Sequence, residues 1–201
     1  PYFKAKKIIK ENDVKVFSSN YSLYGDISQR VMEILLSFSP NVEIYSIDEA
    51  FLSFKGFKNY ELLKYCQHIR KIIKQYVGIP VSIGVGSTKT LSKIANNLAK
   101  KNKRYEGVCI IKDKNNIKEA LNHTKIEDVW GIGRKFSKFL KNKGIFTAKQ
   151  FVSLERRWIR KKMGVLAEKT QLELQGIQCL DIELMPPKRK SCCVSRSFGR
   201  S

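Results

Sequence analysis

Asp48 and Glu49 stand side by side in a stretch, Val42 to Phe54, whose other positions are mainly apolar or aromatic: Val42, Ile44, Tyr45, Ile47, Ala50, Phe51, Leu52 and Phe54. Two hard oxygen donors at a strand end suit Mg²⁺, which binds through one or two carboxylates and completes its octahedron with water and substrate phosphates. The bland alternative is a solvated acidic turn. Against it, two anions enclosed by apolar strands are costly unless a cation lies beside them. A second group, Lys89, Lys93, Asn96, Asn97, Lys100 and Lys101, lies opposite an apolar helical stripe. It reads as a solvated face or as phosphate contact, with a lysine at the helix end reaching a triphosphate as a point charge. The third group is Val129-Trp130-Gly131-Ile132-Gly133-Arg134-Lys135 ahead of an apolar-striped segment. Two glycines before a helix N-terminus let backbone N–H groups approach an anion, and the helix dipole adds to the attraction. With the basic pair Arg134-Lys135 this is a helix-hairpin-helix candidate for gripping a DNA phosphate, against the plainer reading of a tight turn.

These groups need elements to hold them. Ile27, Val31, Ile34, Leu35 and Phe38 keep helical spacing from Asp26 to about Ser39, and Pro40 closes the run. The Val42–Phe54 stretch reads as a β-hairpin with the acids at its tip, where both side chains can turn toward one site. Leu62, Cys66, Ile69, Ile73 and Tyr76 give a second helix, and Val81 to Val85 a short buried strand. Ser87 or Thr88 can cap a third helix carrying Leu91, Ile94, Ala95, Leu98 and Ala99, and Val108 to Ile111 is a further strand. Helix, strand, strand, helix, strand is a ferredoxin-like β-α-β-β-α-β unit without its first strand. That strand would lie upstream of Pro1. After about Leu121 strand-like runs cease, and short helical segments alternate with Gly131, Gly133, Gly144, Gly164 and Gly176. The expected fold class is α+β: a ferredoxin-like unit, then a small all-helical domain. Lys188, Arg189 and Lys190 read as a basic linker, and Cys192 to Phe198 as the start of another strand.

Composition narrows the partners. Of 201 residues 39 are Lys or Arg and 18 Asp or Glu, a net charge of +21 that favours a polyanion, nucleic acid first. No apolar stretch approaches the roughly 18 residues of a membrane span and no charged-then-apolar leader opens the chain, so the plain expectation is a cytoplasmic protein. Five cysteines without a C-x-x-C pair imply reduced thiols, neither a disulfide framework nor a zinc knuckle. His68 and His123 are far apart in sequence and offer no metal or general-base pair. A start at Pro1 and a stop at Ser201 in a polar stretch point to a piece of a longer protein.

Tyr45-Ser46-Ile47-Asp48-Glu49-Ala50-Phe51 resembles the S-I-D-E-A signature of Y-family translesion DNA polymerases. Four more segments resemble their UmuC branch, that of the DNA polymerase V catalytic subunit: Phe17 to Tyr21, Gly84 to Leu91, Asp128 to Gly133, and Ser195 to Gly199. The resemblance implies an error-prone polymerase of DNA-damage repair and the SOS response, with 1–15 ending the fingers, 16–121 forming the palm and 122–187 the thumb. Residues 188–201 would be a basic linker and the start of the little finger. It also implies two Mg²⁺ ions, with Asp48 shared between them and Glu49 on the ion at the primer terminus. Lys100 would approach the triphosphate and Ser46 the nascent pair, while Lys89, Lys93, Gly131, Gly133 and Arg134 would hold DNA. Primed template DNA and deoxynucleoside triphosphates are the implied substrates; a processed UmuD dimer, a recombinase filament and a sliding clamp are the implied partners. The third metal carboxylate and the aromatic residue that excludes ribonucleotides belong, in that family, to the strand expected upstream of Pro1, so the 201 residues alone are expected to be inactive. Two other readings stand beside this one: a non-catalytic helix-hairpin-helix DNA-binding module, and a palm-type nucleotide cyclase.

Overall fold

The computed structural model describes residues 2–57, 61–185 and 191–195. The linker lysines and arginine at 188–190 and the segment 196–199 lie outside them. Helix α1 (Tyr2–Glu11) has no buried residue, and α2 (Tyr21–Phe38) begins earlier than the apolar spacing implies because the Asn20 side chain caps it, accepting from the Leu23 N–H at 3.1 Å. Strands β1 (Val42–Ser46) and β2 (Glu49–Leu52) form the expected antiparallel hairpin, pairing Val42 with Leu52 and Ile44 with Ala50. Its register breaks between Ile44 and Ser46, at the turn into Asp48. Helix α3 (Leu62–Val77) stops at Gly78, whose φ of 84° is the left-handed conformation a helix end favours.

Strand β3 (Ile83–Gly86), helix α4 (Lys89–Lys101) and strand β4 (Val108–Ile111) follow, with β3 and β4 parallel. Thr88 caps α4, accepting from the Leu91 N–H at 3.2 Å. The helix lies directly on β3: a Cβ on Gly84 would stand 2.0 Å from the Asn96 nitrogen, and one on Gly86 2.6 Å from the Ser92 nitrogen. These glycines let two backbones touch, which brings the side chains of α4 down to the level of the hairpin.

The single ferredoxin-like sheet expected from the element order is not closed. Among the described residues the strands form two separate pairs, β1 with β2 and β3 with β4. Between them runs a groove of about 470 Å³, walled by residues 48–55 on one side and 81–86 on the other. Val31, Met32 and Leu35 of α2 and Ile69 and Ile73 of α3 line it as well.

The remainder is helical: α5 (Lys114–His123), α6 (Arg134–Lys141), α7 (Ala148–Val152), α8 (Arg156–Met163) and α9 (Val165–Leu174). One core runs from Ile94, Ala95 and Ile111 through Leu121, Ile126, Leu140 and Phe151 to Leu174, so no break in packing falls at residue 121. A smaller cluster of Val31, Ile69 and Ile73 seals α2 against α3. Glu173, wholly buried at the end of α9, joins the two parts of the chain. Its carboxylate accepts from the Thr90 N–H at 3.0 Å and hydroxyl at 3.2 Å, and from the N–H groups of Cys179 at 2.8 Å and Leu180 at 3.1 Å. An anion at the first turn of α4 also meets the positive end of its dipole.

Candidate active site at the hairpin tip

Asp48 sits in the turn between β1 and β2, exposed, with one carboxylate oxygen accepting from the Ser46 hydroxyl at 2.7 Å. Glu49 opens β2, half-buried, and both acids line the same groove. Two carboxylates at one open end supply hard oxygen donors that fit two positions of a Mg²⁺ octahedron, leaving the rest to water and phosphates. Among the described residues no group of three or more His, Cys, Asp or Glu gathers, and Asp48 and Glu49 are the carboxylates at the hairpin tip.

The face of α4 departs from expectation. Lys89 and Lys93 are not a solvated phosphate-contacting row: their side chains are only 8% and 21% exposed. Lys89 bonds the Glu43 carboxylate at 2.5 Å, and the same Glu43 oxygen accepts from the Glu183 N–H at 2.7 Å. Lys93, one turn on, bonds Glu49. The close seat of α4 on β3 is the cause, because it places this helical row above the acids of the hairpin. An unpaired buried ammonium would be far more costly than the pair. Asn96 follows on the same row, its Oδ1 buried in the groove wall without a partner. Lys100 is exposed, roughly 10 Å beyond Lys93 along the helix, and does not line the groove.

An aromatic cluster ties the second half of the chain to this tip. The Trp130 indole N–H donates to the Tyr45 hydroxyl at 3.3 Å, and its ring lies 5.6 Å from Tyr45 and 5.8 Å from Phe51 between centroids. The Lys93 ammonium is 5.6 Å from the Tyr45 ring and 6.0 Å from that of Trp130. Glu43, Tyr45, Trp130 and Glu173 thus belong to the site or its frame without a role of their own from sequence reasoning, and Asn96, read there as part of a solvated or phosphate-contacting face, lies in the groove wall instead. The available signal was that Tyr45 and Trp130 each fall inside a motif already singled out.

Beyond Trp130 the helix-hairpin-helix candidate is shorter than expected. Only a 3₁₀ turn, Ile126–Asp128, precedes the hairpin, and α6 follows. The two glycines also differ. Gly131 has φ of 91°, and a Cβ there would lie 2.8 Å from Thr170 Oγ1. Gly133 is extended backbone with open space around it, so of the two glycines Gly131 alone takes the left-handed conformation. Gly131→Val is therefore expected to lower stability by about 2 kcal/mol, while Gly133→Ala changes it by less than about 0.5 kcal/mol; urea denaturation of the two variants checks both. Gly133 caps α6 with no side-chain acceptor, leaving its first N–H groups for another partner, and Arg134, Lys135 and Lys138 are exposed around it.

Other titratable groups are occupied elsewhere. Burial pushes the Cys66 thiol up to about 11, so it is no nucleophile at neutral pH. The Arg156 and Arg160 guanidiniums hold the Glu168 carboxyl below its usual range, clasping α8 to α9. His68 packs edge-on against Phe38. No helix among the described residues is long and apolar enough to cross a membrane.

Residues 1–97 match the impB/mucB/samB family. The chain is 42% identical to the protein UmuC of Salmonella typhimurium over 99% of its own length and 48% of the relative's, and 35% identical to MucB of Escherichia coli over 100% and 48%. A DNA polymerase IV of Dehalococcoides mccartyi is 31% identical over 89% of this chain and 45% of that protein. Among solved structures, an insertion ternary complex of the Dbh DNA polymerase superposes with a TM-score of 0.74 at 26% identity, covering 91% of this chain and 52% of that one. The chain spans about half the length of the curated relatives it matches, and over that half it belongs to the Y-family DNA polymerases, in the UmuC/ImpB/MucB branch.

Proposed function

We propose that the chain is the palm and thumb portion of a translesion DNA polymerase that adds deoxynucleotides to a primer 3′-hydroxyl on damaged templates, as part of an SOS-type response to DNA damage. The observation that carries this reading is the pair Asp48–Glu49 at the open end of the groove, joined through Tyr45 and Trp130 to the glycine hairpin. An acid pair alone would serve a cyclase, but a cyclase has no duplex to hold beside it.

In this reading Asp48 and Glu49 would hold two Mg²⁺ ions, which stabilise the attacking and leaving oxygens of the displacement when bound. Ser46, bonded to Asp48, orients that carboxylate at the nascent pair. Lys100 at the open end of α4 takes the triphosphate tail. The groove between β2 and β3 takes an extended strand, which closes the sheet and supplies the third carboxylate that the described residues lack. The 201 residues by themselves are then inactive. By kinship, the partners proposed for the whole polymerase are a processed UmuD dimer, a recombinase filament and a sliding clamp.

The free N–H groups of α6 and the Arg134 side chain hold a DNA phosphate, which positions the duplex without reading its sequence. Arg134→Ala is expected to weaken binding equally for two unrelated duplexes and to reduce the slope of log affinity against log salt by about one unit. An unaltered slope, or a loss confined to one sequence, would remove the hairpin from the DNA surface. The catalytic reading is tested by a chimera in which this chain replaces the matching stretch of the Salmonella typhimurium UmuC. Template-directed primer extension by the chimera with Mg²⁺ supports it, and a folded, DNA-binding chimera without extension opposes it.

A further inference from the structure

Lys93, in direct contact with Glu49, has no part in that scheme. Its ammonium bonds Glu49, yet it also lies over the faces of Tyr45 and Trp130, so it has two kinds of partner within a short swing. An ammonium is attracted to a carboxylate and, more weakly, to the π face of an aromatic ring. Lys89 one turn earlier is held differently, shut in with Glu43, whose carboxylate is pinned a second time by the Glu183 N–H. Lys93 is the more exposed of the two, and its carboxylate is one of the two acids at the mouth of the groove.

A divalent cation and an ammonium on one carboxylate compete for it, because like charges a few ångströms apart repel in a partly desolvated site. We propose that Lys93 is a positioning residue for Glu49. It acts as a tethered counter-cation that keeps the carboxylate turned into the groove in the metal-free protein, and it yields that carboxylate to a divalent cation by moving onto the faces of Tyr45 and Trp130. The inference rests on the reading of Asp48 and Glu49 as a metal site. It explains how two adjacent acids stay ordered before any cation arrives, and it gives the thumb, through Trp130, a contact that changes when the site is loaded.

The test uses the 201-residue chain and needs no catalysis. Mn²⁺ binding is measured by electron paramagnetic resonance for the wild type, Lys93→Met, Lys93→Arg and Asp48→Asn. Trp130 emission is followed during Mg²⁺ addition with Trp158→Phe as background, where the stack on Phe139 is kept by another ring. Lys93→Met is expected to bind Mn²⁺ about tenfold more tightly, a difference of ~1.4 kcal/mol, and Lys93→Arg to stay near the wild type. Mg²⁺ should shift Trp130 emission in the wild type and in Lys93→Arg but not in Lys93→Met. Unchanged or weaker affinity in Lys93→Met while Asp48→Asn abolishes binding overturns the exchange and leaves the metal site standing. A tighter Lys93→Met whose Trp130 responds like the wild type also overturns it, since a bare charge effect would suffice. Mn²⁺ binding that is insensitive to Asp48→Asn, or absent from all four chains, overturns both. The wild-type emission needs no substitution at Lys93, so its silence at saturating Mg²⁺ overturns the exchange whatever the stability of the variants.

Discussion

Asp48→Ala, placed in the UmuC chimera, is expected to reduce nucleotide addition by about 10³-fold, ~4 kcal/mol of barrier, with little effect on folding. The asymmetry follows from where Asp48 stands. It is exposed in the hairpin turn and bonded to a neighbouring side chain, Ser46. Its removal takes away a ligand for charge at the reacting centre without opening a cavity or stranding a buried donor, so the melting behaviour should change by less than about 0.5 kcal/mol. Single-turnover primer extension beside a thermal melt reads both quantities. Undiminished extension would remove Asp48 from the reaction, and a large loss of stability would mean that the acid supports the turn rather than a metal.

Glu173→Ala is expected to do the opposite, lowering stability by about 4 kcal/mol without touching the acids. The wholly buried carboxylate serves two N–H groups of the segment after α9 and two donors of Thr90 at the start of α4. Removing it leaves the two Thr90 donors buried and unpaired and those of Cys179 and Leu180 unpaired and partly buried, which is costly in a dry interior. Glu173→Gln keeps an acceptor oxygen and should lose less than the alanine variant. Chemical denaturation of the 201-residue chain measures the difference. A change below about 1 kcal/mol for Glu173→Ala would show that water or a rearranged segment replaces the carboxylate. Because α4 carries Lys89, Lys93 and Asn96 to the groove, loosening its first turn should also blunt the Trp130 response to Mg²⁺.

The elements were legible in the sequence where local rules dominate. The apolar spacing of Leu62 to Tyr76 gave α3, Ser87 or Thr88 marked the start of α4, and the paired aromatic and β-branched residues around Asp48-Glu49 gave the hairpin, because each follows from a period or a cap read within a few residues. The division of the strands was not legible: the element order implies one sheet, whereas among the described residues β1–β2 and β3–β4 form separate pairs with a groove between them.

What the sequence by itself determined, then, is the presence of an acid pair at a bend, a basic helix after it and a glycine hairpin further on. Only the tertiary structure decided how they meet. Lys89 and Lys93 look like any solvated lysines until Gly84 and Gly86 let α4 touch β3, which drops that row onto Glu43 and Glu49 and turns a charged surface into ion pairs. Gly131 and Gly133 are equivalent in the sequence, yet Thr170, 37 or more residues later, stands against one and leaves the other open. Trp130 reads as one more apolar residue until packing lays it on Tyr45, 85 residues away. Periods and caps act over a turn of helix or a strand pair, and a sequence records them directly. Contacts across such separations depend on how closely two backbones approach, and the folded chain alone fixes that distance.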